Sequence, residues 1–240
     1  MSDPYQATTR DGTRIFVSPN DYLGRMIILF GEHERHNLST LMRLMTPNGV
    51  FWDIGANYGV FSLSLARKFP LSNCVAVEPQ PILADLVAKS AGINSITNIS
   101  IVRAALSDKS GDLELTIPLG SFARASLTEL AGGNKVMVPV RTLDDMLRDY
   151  PPPTLLKLDV EGVEENVIRG GERVFRTAGP DVLIEVNEAR YQPLGELPAV
   201  KLLKKHGYNF WRADHRENIP LDLERRLGTH SHDVVAMKSK

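Results

Sequence analysis

Apolar runs and helix-spaced apolar positions alternate along most of this chain. Val50–Ile54, Cys74–Glu78, Ile99–Arg103, Thr154–Asp159 and Val182–Val186 are short, mostly apolar stretches that close on polar residues. Continuous apolar runs of that length predict strands buried on both faces of a parallel sheet. Between them, Leu38, Leu41, Met42 and Met45, then Leu83, Leu86 and Val87, and later Ala199, Leu202 and Leu203 recur at helical spacing and predict crossover helices. Asn209–Arg212 and Asp233–Met237 add two more strands, so the main sheet should hold about seven. Strand and helix in turn predict an α/β, Rossmann-like architecture with helices on both faces.

Two regions break the alternation. Residues 11–30 hold Gly12, Pro19, Asn20 and Gly24 between short apolar runs, which predicts an N-terminal hairpin or cap over residues 1–30. Leu113, Leu115 and Ile117 alternate with Asp112, Glu114 and Thr116, and Val136–Val140 follows a Gly132-Gly133-Asn134 turn, so a small β-ribbon should be inserted near 112–140. The α/β pattern resumes directly after Pro151-Pro152-Pro153, which makes that run a stiff connector. One domain is therefore expected over 1–240, its core spanning 31–240.

Composition narrows the function. A chain of 240 residues that is 42% hydrophobic suffices for one substantial core. With 28 basic against 29 acidic residues there is no overall positive field for a nucleic acid. Cys74 is the single cysteine, which excludes an internal disulfide and a cysteine-rich zinc site. Near the start, the longest apolar run is Met26–Phe30, far from the roughly 20 residues of a membrane span. Met1-Ser2-Asp3-Pro4 carries no basic region of a signal peptide, so the expectation is cytoplasmic, without a membrane partner. Self-association is left open.

Chemistry concentrates first at Val50-Phe51-Trp52-Asp53-Ile54-Gly55-Ala56-Asn57-Tyr58-Gly59-Val60-Phe61-Ser62, a strand, a glycine turn and a helix. Such βα turns bind nucleotides, and Glu78 at the end of the next strand is suited to ribose hydroxyls. A pyrophosphate cofactor favours G-x-G-x-x-G, whereas Asn57 stands at the middle glycine and Asp53 would repel phosphate. S-adenosylmethionine, a sulfonium and ammonium without phosphate, suits those residues better. An ordinary βα turn edged by an aspartate is the plainer alternative.

Asp53-Ile54-Gly55-Ala56-Asn57-Tyr58-Gly59, Val77-Glu78-Pro79, Ala105-Leu106-Ser107-Asp108 and Lys157-Leu158-Asp159-Val160-Glu161-Gly162-Val163-Glu164 together resemble the FkbM family of S-adenosylmethionine-dependent class I methyltransferases, over roughly residues 30–215. The resemblance implies mostly O-methylation of natural products, sugars and related hydroxylated metabolites. It implies that Asp53, Gly55 and Gly59, with Asn57 in the same loop, line the methionine end of the cofactor. Glu78 would take the ribose, Pro79 would shape the loop beneath it, and Ala105, Leu106 and Ser107 would enclose the adenine. Ser107 is equally a turn residue. Glu34, in Gly31-Glu32-His33-Glu34, either braces the cofactor loop or is a first-turn acid attracted by the helix dipole.

An aliphatic hydroxyl acceptor needs a general base or a metal to lose its proton. Asp159, Glu161 and Glu185 at the fourth and fifth strand ends are the candidates, with Asp159 favoured as catalytic or substrate-orienting. Lys157 would steer substrate or neutralise those acids, while Glu164 and Glu165 read as solvated first-turn acids. Asp159, Glu185 and Asn187 also resemble the oxygen set that holds Mg2+ in catechol-type methyltransferases, so a metal route stands beside the base route. His33, His36, His230 and His232 are read as surface or capping residues, with His33 and His232 the first to mutate. Phe122, Arg124, Arg190 and Tyr191 are placed to contact a small hydroxylated substrate. A nicotinamide oxidoreductase is disfavoured by Asn57 and by the lack of a Tyr-x-x-x-Lys pair. A catalytically silent cofactor-binding subunit and an N or macromolecular acceptor remain as alternatives.

Overall fold

A computed structural model describes residues 3–117, 133–186, 189, 192–213, 220–227 and 233–238. The N-terminal cap is a hairpin of β1 (Tyr5–Thr8) and β2 (Arg14–Val17) followed by α1 (Tyr22–Phe30). Asp21 caps α1 by accepting from the Gly24 N–H at 3.3 Å, and Gly31 ends it in the left-handed conformation. The core then runs α2 (Arg35–Leu44), β3 (Val50–Ile54), α3 (Val60–Lys68), β4 (Asn73–Val77), α4 (Pro81–Ile93) and β5 (Ile99–Val102). After β5 come β6 (Ala105–Leu106), β7 (Gly111–Ile117), β8 (Asn134–Arg141) and α5 (Leu143–Met146). The chain closes with β9 (Leu155–Leu158), α6 (Glu164–Arg169), β10 (Asp181–Glu185), α7 (Pro198–Lys205), β11 (Tyr208–Arg212) and β12 (Asp233–Lys238).

Seven strands form the main sheet in the order β11-β12-β10-β9-β3-β4-β5. β12 alone runs against its neighbours, between β10 and β11. Helices cover both faces, as the alternation predicts. The period of two along β3 divides the core: Trp52 and Ile54 pack with Leu156, Leu158, Val167 and Phe175, while Phe51 packs on the other face with Leu41, Phe61, Leu65 and Leu155. Asp53 shares the Phe51 face and is fully buried there.

The insertion is wider than the sequence pattern suggests. β6, expected only as an adenine wall, pairs parallel with β8, and β8 pairs antiparallel with β7, giving three strands. Alternation cannot reveal a two-residue strand, because a period of two needs several positions. The hairpin of the cap sits against α4, where the Phe16 N–H donates to Ser90 Oγ at 2.9 Å. No described helix is long and apolar enough to cross a membrane.

Candidate active site

The sheet order reverses between β3 and β9, because the chain leaves β3 toward β4 and β5 and returns on its other side through β9 and β10. Strand ends at such a reversal leave a crevice. A cavity opens there, walled by the loops after β3, β4, β6, β9 and β10 and by the start of α1.

The loop after β3 is shaped by close backbone approach. Gly55 has φ +82, and a Cβ on it would lie 1.9 Å from the Asp159 carbonyl oxygen, so only glycine lets β3 and β9 end side by side. Gly55 and Ala56 both donate to the Val77 carbonyl at 3.0 Å. Asn57 follows with φ +53, and its N–H donates to Glu78 Oε2 at 2.9 Å. The other Glu78 oxygen accepts from the Gln80 N–H at 2.9 Å. Buried among these donors, the Glu78 carboxyl is pushed up to about 7 by desolvation. Asn57 Oδ1 is buried in the cavity wall without a partner among the described residues.

Three of the four described non-glycine residues with positive φ, namely Glu34, Asn57 and Glu161, line this one cavity. Left-handed backbone in such residues costs energy and persists where surrounding bonds impose it. At Glu34 those bonds are visible: Oε2 accepts from Asn37 Nδ2 at 2.9 Å, and Oε1 stands 3.1 Å from His33 Nε2. Burial opposes charge on Glu34, but the His33 bond, the Lys157 charge and the Asn37 bond outweigh it and hold the carboxyl at about 2.

Lys157 is the ammonium at the centre of this end. It is 3% exposed, bonds Asp159 Oδ2 at 2.7 Å, and sits 4.8 Å from the Phe61 ring centroid. Desolvation alone would lower its pKa; Asp159, Glu34 and Asp53 together raise it, so the charge is retained. Burial, reinforced by Asp159, Asp233 and Glu161, pushes Glu185 up to about 9, and Asp233 rises to about 6 by burial and the nearby Glu34.

The cavity brings together most residues singled out in the sequence. Gly55, Asn57, Glu78, Pro79, Ala105 and Leu106 line it toward β4 and β6, and Glu34, Lys157, Asp159, Glu161 and Glu185 line it toward β9 and β10. Asp53, Gly59 and Ser107 are not on the wall. Asp53 lies behind it, where its Oδ2 accepts from the Ser62 N–H and hydroxyl and ties β3 to α3. Its Oδ1 is buried without a partner among the described residues, and burial raises its pKa. Gly59 precedes α3 in the left-handed conformation and faces Val87 instead. Ser107 donates its N–H to the Arg141 carbonyl and its hydroxyl to Asp108 beside the ribbon.

Glu164 corrects an expectation: it is buried, and Oε1 accepts from the Val160 and Gly162 N–H groups at 3.1 and 3.2 Å, bracing the loop that carries Glu161. Glu165 is partly exposed and paired with Arg169, as a first-turn acid should be. His33 lines the cavity and is no simple surface cap, whereas His230 and His232 lie outside the described residues. So do Asn187, Phe122, Arg124, Arg190 and Tyr191. Tyr22 and Leu23 of α1 also reach the cavity, which sequence reasoning assigned only to a generic cap.

Among the described residues the donor set does not fit a divalent metal. The Lys157 ammonium already occupies Asp159, and no three acidic, histidine or cysteine side chains among the described residues are arranged to hold an ion. The Mg2+ expectation from Asp159, Glu185 and Asn187 thus finds no support: spacing in sequence does not show that a cation of the protein is already in place.

A family model described as the methyltransferase FkbM domain matches residues 53–210. Methyltransferase sdnD of Sordaria araneosa is 29% identical over 202 residues, covering 70% of this chain and 76% of that protein. Hexuronic acid methyltransferase AglP of Haloferax volcanii is 24% identical over 176 residues, covering 72% and 70%. Among solved structures, the methyltransferase FkbM from Methylobacillus flagellatus KT superposes with a TM-score of 0.53 at 14% identity, covering 86% of this chain. This chain spans about half of that one, 48%. Trm5b from Pyrococcus abyssi gives 0.51 at 10% identity, covering 99% of this chain and 56% of its own. At such identities the two structures attest the fold.

Proposed function

The chain belongs to the FkbM methyltransferase family, and from that membership we propose that it moves a methyl group from S-adenosylmethionine to a hydroxyl of a small metabolite, sugar or natural product. The observation that carries the reading is the cavity at the sheet reversal, lined by Glu34, Glu78, Asp159, Glu161 and Glu185 around one buried ammonium that is already paired. An acidic wall suits a sulfonium and an α-ammonium and repels phosphate.

Asn57 and Glu78 are the residues to hold the ribose, since the buried Asn57 Oδ1 needs a donor and the Glu78 carboxyl is the acid beside it. Ala105, Leu106 and Leu115 form the apolar wall for the adenine. Gly55 lets the ligand approach the backbone at the methionine end. Asp53 acts from behind the wall, by keeping α3 and the loop in place. When bound, the sulfonium supplies the electrophilic methyl carbon. Asp159, fixed by Lys157, orients the acceptor hydroxyl, and much of the rate comes from that alignment. Glu185, protonated near neutrality, donates to an acceptor oxygen.

Calorimetry should show S-adenosylmethionine binding to the wild type and at least about tenfold weaker binding to Glu78→Ala, where two loop N–H groups lose their acceptor and a ribose acceptor goes with it. Tritium from the labelled methyl group should then appear on members of a panel of simple glycosides, polyols and hexuronic acids, and turnover should survive EDTA. Binding without transfer to any hydroxyl would favour the silent subunit, label on nitrogen the N-acceptor reading, and no binding would overturn the proposal.

A further inference from the structure

We propose that His33 is the base that takes the proton of the acceptor hydroxyl, with Glu34 as the positioning residue that orients it; this deepens the reading above and rests on it. The acceptor must meet the methyl carbon at the end of the cavity away from Glu78, where His33, Phe61, Lys157, Asp159 and Glu185 converge. Two of the acids there are poor proton acceptors. Asp159 would give up its Lys157 contact on taking a proton, and Glu185 is already protonated at neutral pH.

His33 has the complementary arrangement. Its Nε2 lies 3.1 Å from Glu34 Oε1, which assigns the N–H to Nε2 and the basic lone pair to Nδ1. Glu34 is in turn kept ionised by Asn37 and Lys157, and its left-handed backbone aims it at the imidazole. The ring is 6.5 Å from the Phe61 ring, on which Lys157 also rests, so the dyad adjoins the ion pair. The other charges around it include Lys157 and Asp159 beyond Phe61, Asp233 beside Glu34 and Asn37, and in its own loop Glu32, which is paired with Arg10.

The step balances. As the hydroxyl oxygen bonds the methyl carbon, the C–S bond breaks with its electron pair left on sulfur, and the O–H proton passes to Nδ1. The positive charge moves from sulfonium to imidazolium, beside the Glu34 carboxylate. His33 is about one-third exposed, 31%, so the proton can leave to water.

His33→Gln should lower kcat by roughly 100-fold or more while S-adenosylmethionine binding by calorimetry stays within twofold. Added imidazole should restore part of the rate in His33→Ala. Glu34→Gln should lower kcat by about tenfold or more with KM nearly unchanged, and Glu34→Asp should restore part of the rate. Nitrogen-15 spectra of the ligand-free chain supply a readout independent of turnover. The His33 signal, identified by its loss in His33→Gln, should show the Nε2–H tautomer, and that preference should weaken in Glu34→Gln. An unchanged kcat in His33→Gln, a loss found in Glu161→Gln instead, or an Nδ1–H tautomer would overturn the proposal. Failure of the wild type to bind S-adenosylmethionine would sink the underlying reading and leave the spectra to decide the dyad.

Discussion

Lys157 shows what a single residue type conceals. In sequence it is a lysine in an apolar strand between Leu156 and Leu158; in the fold its buried ammonium serves Asp159 and lies in the field of Glu34 and Asp53. Removing one partner of a buried ion pair leaves uncompensated charge, at a cost of about 3–5 kcal/mol. Lys157→Met should therefore lose about that much stability in urea titrations at pH 8. A loss below about 1 kcal/mol at pH 8 would show that the pair is not what holds this end together. Glu78, Asp159 and Glu185 were legible as strand-end acids, because parallel strands deliver their carboxyl ends to one edge. Glu164 was not, since a helix-start acid looks the same in sequence whether it points to water or back to the Val160 and Gly162 N–H groups.

At the scale of elements, β3, its turn and α3 behave as one unit. The Asp53 carboxylate binds Ser62 from below, and Gly55 brings Asp159 against the turn from the side. Gly55→Ala would place a methyl group 1.9 Å from the Asp159 carbonyl oxygen on backbone with φ +82. Either β9 shifts or the turn rearranges, so folded yield and thermal stability should fall sharply, with S-adenosylmethionine binding lost in whatever remains folded. A fully folded, binding-competent Gly55→Ala chain would contradict the close approach. The seven main strands were legible from their apolar runs. β6 and the reach of α1 into the cavity were not, because the first is too short for a period and the second depends on where the cap docks.

For the whole molecule, near-neutral net charge hides a concentrated acid cleft. Glu78, Asp233 and Glu185 are held at about 7, 6 and 9, each raised chiefly by burial above the roughly 4 of an unfolded carboxyl. Below their unfolded values they are protonated in both states. As pH rises through that range the unfolded chain releases protons that the fold still keeps, so stability falls until the folded groups ionise. Glu34 is held at about 2 and contributes its full stability across this window, so it does not offset the trend. Melting temperatures of the ligand-free chain should decline from pH 5 to 9, and Glu185→Gln should flatten the upper part; a flat wild-type profile would refute buried acids at this edge. The sequence by itself determined the α/β class, the parallel strands, the glycine turn after β3 and the family, because those depend on apolar periodicity and on residue types a short turn requires. Only the tertiary structure decided how burial bears on each acid, that Lys157 pairs with Asp159, that Asp53 stands behind the wall and that His33 meets Glu34 in the cavity. Those outcomes depend on burial and on distances between elements far apart in the chain, which no local pattern of residues encodes.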